Sequence, residues 1–169
     1  MPRQERERRY IADYMKARFP DMKWILNVSL GPIPDEMVGR YGLSQAAALF
    51  RPSRPRVDAI RWEDGKYILI EAKLRDMKAG IGDLTYYRAM AAKTPDLPYY
   101  NSQPLVCRLA IPFNLEWVKW IANEAGVEVD VFWIDWVGEY VKERQHYFTS
   151  DYRIARNEKM ALRKVLGVD

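Results

Sequence analysis

Apolar residues recur first at helical spacing, then in short unbroken runs, then in both patterns by turns. Residues 4–19 bring Glu7, Tyr10 or Ile11, and Tyr14 to one face and leave the arginines mostly elsewhere; this predicts a helix that Pro20 stops. Residues 23–30 predict a strand, broken by Gly31-Pro32-Ile33-Pro34. Residues 35–55 hold no clear period, although 45–50 have the make-up of a short helix. Arg51-Pro52-Ser53-Arg54-Pro55-Arg56 reads as a stiff basic loop. Two strands follow, Arg56–Trp62 and Tyr67–Lys73, joined at the Asp64-Gly65 turn of a hairpin. Helical spacing returns over 82–93, with Leu84, Tyr87 and Ala91 on one face and Thr94-Pro95 as the stop. Leu105–Ile111 is a continuous apolar run, the pattern of a central strand. Asn114 is the expected N-cap of a helix over 115–125, and Gly126 its C-cap. Val127–Trp133 alternates as a strand, and helices are expected over 136–147 and 153–166.

A meander followed by alternating helices and strands predicts an α/β fold: a mixed central sheet with flanking helices, order αβββαβαβ plus C-terminal helices. With 169 residues, 49% of them hydrophobic, one domain over 1–169 is expected, with a core over 1–135 and a helical extension over 136–169. No run approaches a membrane span, and no apolar stretch follows the charged N-terminus as a signal peptide requires. The single Cys107 excludes a disulfide framework and fits a cytoplasmic setting. His146, the one histidine, excludes multi-histidine metal sites and leaves little scope for Ser-His-Asp chemistry. The net charge of +4 and the excess of arginine over lysine lean toward a nucleic-acid partner.

The chemistry concentrates in the hairpin. A turn at Asp64-Gly65 sets Asp58 across from Glu71, within side-chain reach. Lys73, two positions on, shares Glu71's face of the strand. Facing carboxylates repel unless a cation lies between them, and a hard divalent ion with oxygen ligands is the natural partner. Lysine does not ligate such an ion but can hold a water or stabilise charge on a phosphate. The plainer reading is an edge hairpin with solvated Asp, Glu and Lys.

Asp58 on one strand, Glu71-Ala72-Lys73 on the next, and the order helix–strand–strand–strand–helix–strand resemble the PD-(D/E)XK nuclease superfamily over roughly residues 5–112. The resemblance implies a restriction-endonuclease-like fold. It also implies Mg²⁺, with Mn²⁺ as a substitute, held by Asp58, Glu71 and the Ala72 carbonyl, and Lys73 positioning the attacking water. Many members, including the archaeal Holliday-junction resolvases, add a glutamate from the first helix; Glu7 is the match here and Glu5 the second choice, the alternative for Glu7 being a helix N-terminal acid that favours the dipole. The exonuclease-like branch carries Gln-X-X-X-Tyr after the lysine strand. Here Tyr87 matches, Asp83 replaces the glutamine or else only caps the helix after Gly82, and Val57 stands where the motif has proline, which leaves the resolvase-like and exonuclease-like branches both open.

The expectation is thus a metal-dependent DNA nuclease, an endonuclease of recombination, repair, restriction or viral genome processing. An exonuclease, an RNA nuclease on the same site, and a non-catalytic nucleic-acid-binding or assembly protein are the alternatives. Arg51, Arg54 and Arg56 are candidate phosphate contacts, or else a solvated connector, and Tyr87 is either a nucleic-acid contact or core. Trp117, Trp120, Trp133 and Trp136 are core by default, or a stacking surface or homodimer interface where exposed. Tyr99-Tyr100 are loop stacking candidates, and His146 reads as a surface residue. Arg153, Arg156, Lys159, Arg163 and Lys164 form a basic helical face.

Overall fold

Five strands form one mixed sheet whose spatial order follows the chain. They are β1 (Trp24–Ser29), β2 (Arg56–Glu63), β3 (Lys66–Ala72), β4 (Leu105–Ile111) and β5 (Val127–Val131). The structure is a computed structural model describing residues 3–21, 23–97, 104–146 and 150–165. β1 and β2 pair antiparallel, as do β2 and β3; β3–β4 and β4–β5 are parallel. The β2–β3 hairpin needs only its tight turn, β1 and β2 are joined by the longer stretch 30–55, and each parallel step needs a crossover, which helices supply. The helices of this part are α1 (Arg3–Arg18), α2 (Asp35–Tyr41), α3 (Leu43–Phe50), α4 (Met77–Ala91) and α5 (Glu116–Glu124).

Both faces of the sheet are covered, so β3 is apolar at successive positions instead of alternating: Tyr67 through Ile70 are all buried. Tyr67 and Leu69 pack in one cluster with Leu109 and Ile111 of β4, Ile81 and Leu84 of α4, and Val118 and Ala122 of α5. Ile68 and Ile70 point the other way, toward α1, which packs on β2 and β3 and buries Tyr10, Ile11, Tyr14 and Met15. Tyr14 donates to Asp130 at 2.9 Å, Arg18 pairs with the same carboxylate at 3.0 Å, and Tyr10 donates to the Phe132 carbonyl. α1 is thereby tied to the end of β5.

The strands fall where the hydrophobic pattern puts them, and β4 is an interior strand as its continuous apolar run requires. Three helix details differ. α2 lies in the stretch without a period: it buries no residue, so no apolar stripe marks it. α4 starts at Met77, five residues before the expected 82, because Asp76 caps it by accepting from the Ala79 N–H at 3.1 Å. Gly80 and Gly82 within its first turns conceal that start in the sequence. Asn114 is not the cap of α5; Leu115 holds that position and no side chain bonds the helix end. Gly126 follows this helix at φ 63°, the left-handed conformation that ends helices on glycine.

The chain divides into two compact units, Met1–Phe132 and Trp133–Asp169. The second holds α6 (Asp135–His146) and α7 (Ser150–Val165). Val137 and Tyr140 of α6 are buried, and the Trp133 ring lies against Gly138. Ile154, Met160 and Leu162 of α7 are exposed, alongside exposed Arg156, Lys159 and Arg163. No described helix is long and apolar enough to cross a membrane. Tyr99, Tyr100 and the side chains of His146, Arg153 and Lys164 lie outside the described residues.

Candidate active site

The hairpin adopts the register its turn dictates: Ala59 pairs with Ile70, and the ladder runs from there down to Glu63 and Lys66. One step further, Asp58 and Glu71 come opposite each other and the ladder lapses. Instead of a strand carbonyl, the Asp58 carboxylate accepts the Ala72 N–H at 2.9 Å. The Asp58 N–H reaches Glu71 Oε2 at 3.4 Å. On the other flank, Asn27 stands at the position facing Asp58 with φ 56°, a left-handed conformation that asparagine tolerates better than most residues. Asp58 is thus the one residue of β2 without a ladder partner on either neighbouring strand.

Glu71 is buried, at 4% exposure, in phase with Tyr67 and Leu69 and so beneath α4. Its Oε1 accepts from Lys73 Nζ at 2.8 Å. Lys73 reaches the same spot from the end of β3, and α4 presses on its stem. A Cβ on Gly80 would stand 2.8 Å from Lys73 Cγ and 2.7 Å from Leu109 Cδ1. Only glycine allows that approach. The ammonium forms a second ion pair with Asp83 at 3.1 Å. Asp83 lies within α4, past its first two turns, and does not cap the helix. Tyr87 follows one turn later on the same helix face.

Burial pushes the Glu71 carboxyl up to about 8; the facing Asp58 adds to this, and Lys73 opposes it. Burial also raises Asp58, as do Glu7 and Asp83 through space, while the Ala72 N–H and Lys73 pull it down. Burial works against the charge of Lys73, but Glu71 and Asp83 outweigh it and hold the ammonium protonated. Burial and then the Glu71 and Asp83 charges raise the Tyr87 phenol, so it stays neutral. Tyr87 faces this group of charges and is also packed against the core cluster.

The first helix brings Glu7 close enough to act on Asp58 electrostatically, while Glu5 is exposed. The basic loop divides. Arg54 turns inward, at 6% exposure, and grips Asp96 with two bonds of 2.6 and 3.0 Å. Arg51 and Arg56 remain the loop's outward cations. Arg54 also lines a groove of about 500 Å³ with Leu30, Phe50, Tyr86 and Met90; the Tyr86 ring lies 6.0 Å from that of Tyr87.

Among the described residues, no three His, Cys, Asp or Glu side chains are grouped to hold a metal ion. Asp58 and Glu71 are the two side chains that could hold a hard divalent ion, which takes one or two carboxylates and completes its shell with water and phosphate oxygens. Sequence reasoning missed the Lys73–Asp83 pair, the Gly80 cradle and Asn27. The cap at Asp76, three residues before Ala79, is the signal that would have set α4 and hence Asp83 over Lys73. The chain matches no protein-family profile, no curated protein and no solved structure.

Proposed function

We propose that this chain is a metal-dependent nuclease of the PD-(D/E)XK type that hydrolyses phosphodiester bonds in DNA. The observation that carries the reading is the meeting of Asp58, Glu71 and Lys73 where the β2–β3 ladder lapses, with Lys73 Nζ 2.8 Å from Glu71. The mixed sheet supports it, since a meander leading into parallel strands is the order expected of a restriction-endonuclease-like core. Mg²⁺ or Mn²⁺ would be held by Asp58, Glu71 and the Ala72 carbonyl. When bound, such an ion polarises a phosphate and makes water a better nucleophile. Lys73 orients the water or meets the charge developing on the phosphate, and its raised pKa keeps it cationic for either task. Glu7 adds negative potential beside Asp58. Arg51 and Arg56 are free to meet the backbone of the strand, and neutral Tyr87 can donate a hydrogen bond to it.

A resolvase-like role would require a symmetric dimer, since two strands must be cut. The outward face of α5 offers apolar surface for that, with Trp117 50% and Trp120 68% exposed. A second reading is a binding or assembly protein that keeps the fold without catalysis, for which the exposed Arg51 and Arg56 would supply phosphate contacts by themselves.

The test is incubation with linear duplex, single-stranded and four-way-junction DNA and with RNA, in Mg²⁺ or EDTA, beside Glu71→Ala. Sedimentation at micromolar protein is run on the same samples. Cleavage of DNA in Mg²⁺ alone, lost in the variant, is expected. Cleavage that survives EDTA or the substitution removes the mechanism. Binding without cleavage of any substrate supports the second reading, and a monomer throughout removes the paired arrangement.

A further inference from the structure

We infer that Asp83 is a positioning residue for Lys73, the anchor that keeps the ammonium at the site when a divalent cation draws the Glu71 carboxylate away. The inference rests on the reading of this site as cation-dependent. The physical problem is competition. Lys73 Nζ is bonded to Glu71 Oε1 at 2.8 Å, and a cation on that carboxylate competes for the same oxygen. An ammonium on a flexible four-carbon stem that loses its one partner swings toward water. Lys73 has a second partner, Asp83 Oδ2 at 3.1 Å, and a lysine ammonium has donors for both at once.

The surroundings fit a hold of this kind. Gly80 and Asp83 lie one turn apart on α4, and the helix presses Gly80 on the Lys73 stem while Asp83 takes the head. The Lys73 side chain is 14% exposed and that of Asp83 is 40% exposed, so the anchor sits on the solvent side of the ammonium and Glu71 on the inner side. A cation held by Asp58 and Glu71 would therefore compete with the inner bond of Lys73 and spare the outer one. Asparagine in place of Asp83 keeps the shape but loses the charge that holds an ammonium.

The test separates position from activity. Glu71→Gln removes the inner carboxylate without any metal. The lysine ammonium group of Lys73 is followed in proton–nitrogen correlation spectra and assigned by its disappearance in Lys73→Arg. Its signal is expected to persist in Glu71→Gln and to be lost in Glu71→Gln/Asp83→Asn. Loss in the single variant, or persistence in the double one, overturns the inference whatever the protein cleaves. In cleavage assays Asp83→Asn is expected to lower kcat by about 10- to 100-fold, with KM for DNA and the Mg²⁺ midpoint within about twofold of wild type. Asp83→Glu is expected to recover part of the loss. A raised Mg²⁺ midpoint instead makes Asp83 a metal ligand, and a raised KM makes it a substrate contact; either overturns the positioning role. If the wild-type protein cleaves nothing, the spectra still decide on Asp83, and the nuclease reading falls by itself.

Discussion

Glu71 holds its proton far more tightly than a solvated glutamate, moving from 4.5 to about 8 under burial and the Asp58 charge. The sign of the effect on stability follows. The folded value lies above the unfolded one, so the contribution is full below 4.5 and is lost as pH rises through 8. Metal-free protein should therefore show a falling Tm across that window, and saturating Mg²⁺ should flatten the curve by favouring the ionised carboxylate. Binding of Mg²⁺ near neutral pH should also release a proton, read by calorimetry in buffers of different ionisation enthalpy. A Tm profile in metal-free protein that Glu71→Gln leaves unchanged contradicts this account. Asp58 and Glu71 were legible in the sequence because a two-residue turn fixes the register of its hairpin and hence which side chains meet. Asp83 was not, since its contact crosses from a helix to a strand and depends on where that helix starts. Nor was Asn27, whose backbone conformation leaves no trace in a hydrophobic period.

Glycine has two opposite uses in α4, and these separate at the level of the helix. A Cβ on Gly80 would stand under 3 Å from Leu109 and from the Lys73 stem, whereas a Cβ on Gly82 meets nothing within 4 Å. Gly82→Ala is therefore expected to stabilise the protein by up to about 1 kcal/mol through helix propensity. Gly80→Ala gains the same but forces a clash costing about 1–3 kcal/mol, so it should destabilise. It should also lift Lys73 away from Glu71 and reduce cleavage, which Gly82→Ala should not. Chemical denaturation of the two variants checks the signs; a stabilised Gly80→Ala protein removes the tight-approach argument. The same pair of glycines hid the first turn of α4 from the sequence, because glycine lowers helix propensity whether or not a packing reason sits behind it. α2 was hidden for the reverse reason, having no buried face to impose a period. β4 and the hairpin strands needed no such help, since burial on both faces leaves an unbroken apolar run.

For the molecule as a whole, a net charge of +4 promises attraction to phosphate but not its location. The fold sorts the loop arginines that the sequence alone left equivalent. Arg51→Ala and Arg56→Ala are expected to weaken DNA binding with little change in Tm. Each arginine that meets one phosphate should, on removal, make the dependence of log K on log salt shallower by about 0.9. Arg54→Ala should act mainly on stability, because it strips Asp96 of its partner. Binding titrations at several salt concentrations beside thermal melts test the division; an unchanged slope in the Arg51 and Arg56 variants removes the loop from the binding surface.

The rims of the sheet have one more consequence. β1 and β5 are its outer strands. β1 is kinked at Asn27, so its outer row of amide and carbonyl groups does not run straight. β5 is 5 residues long and bears Glu128 and Asp130. A stray strand from another chain would meet a bend on one rim and a short, charged stretch on the other. Both are obstacles to edge-to-edge aggregation, so the irregularity that frees Asp58 from its neighbours also guards the protein against amyloid-like growth.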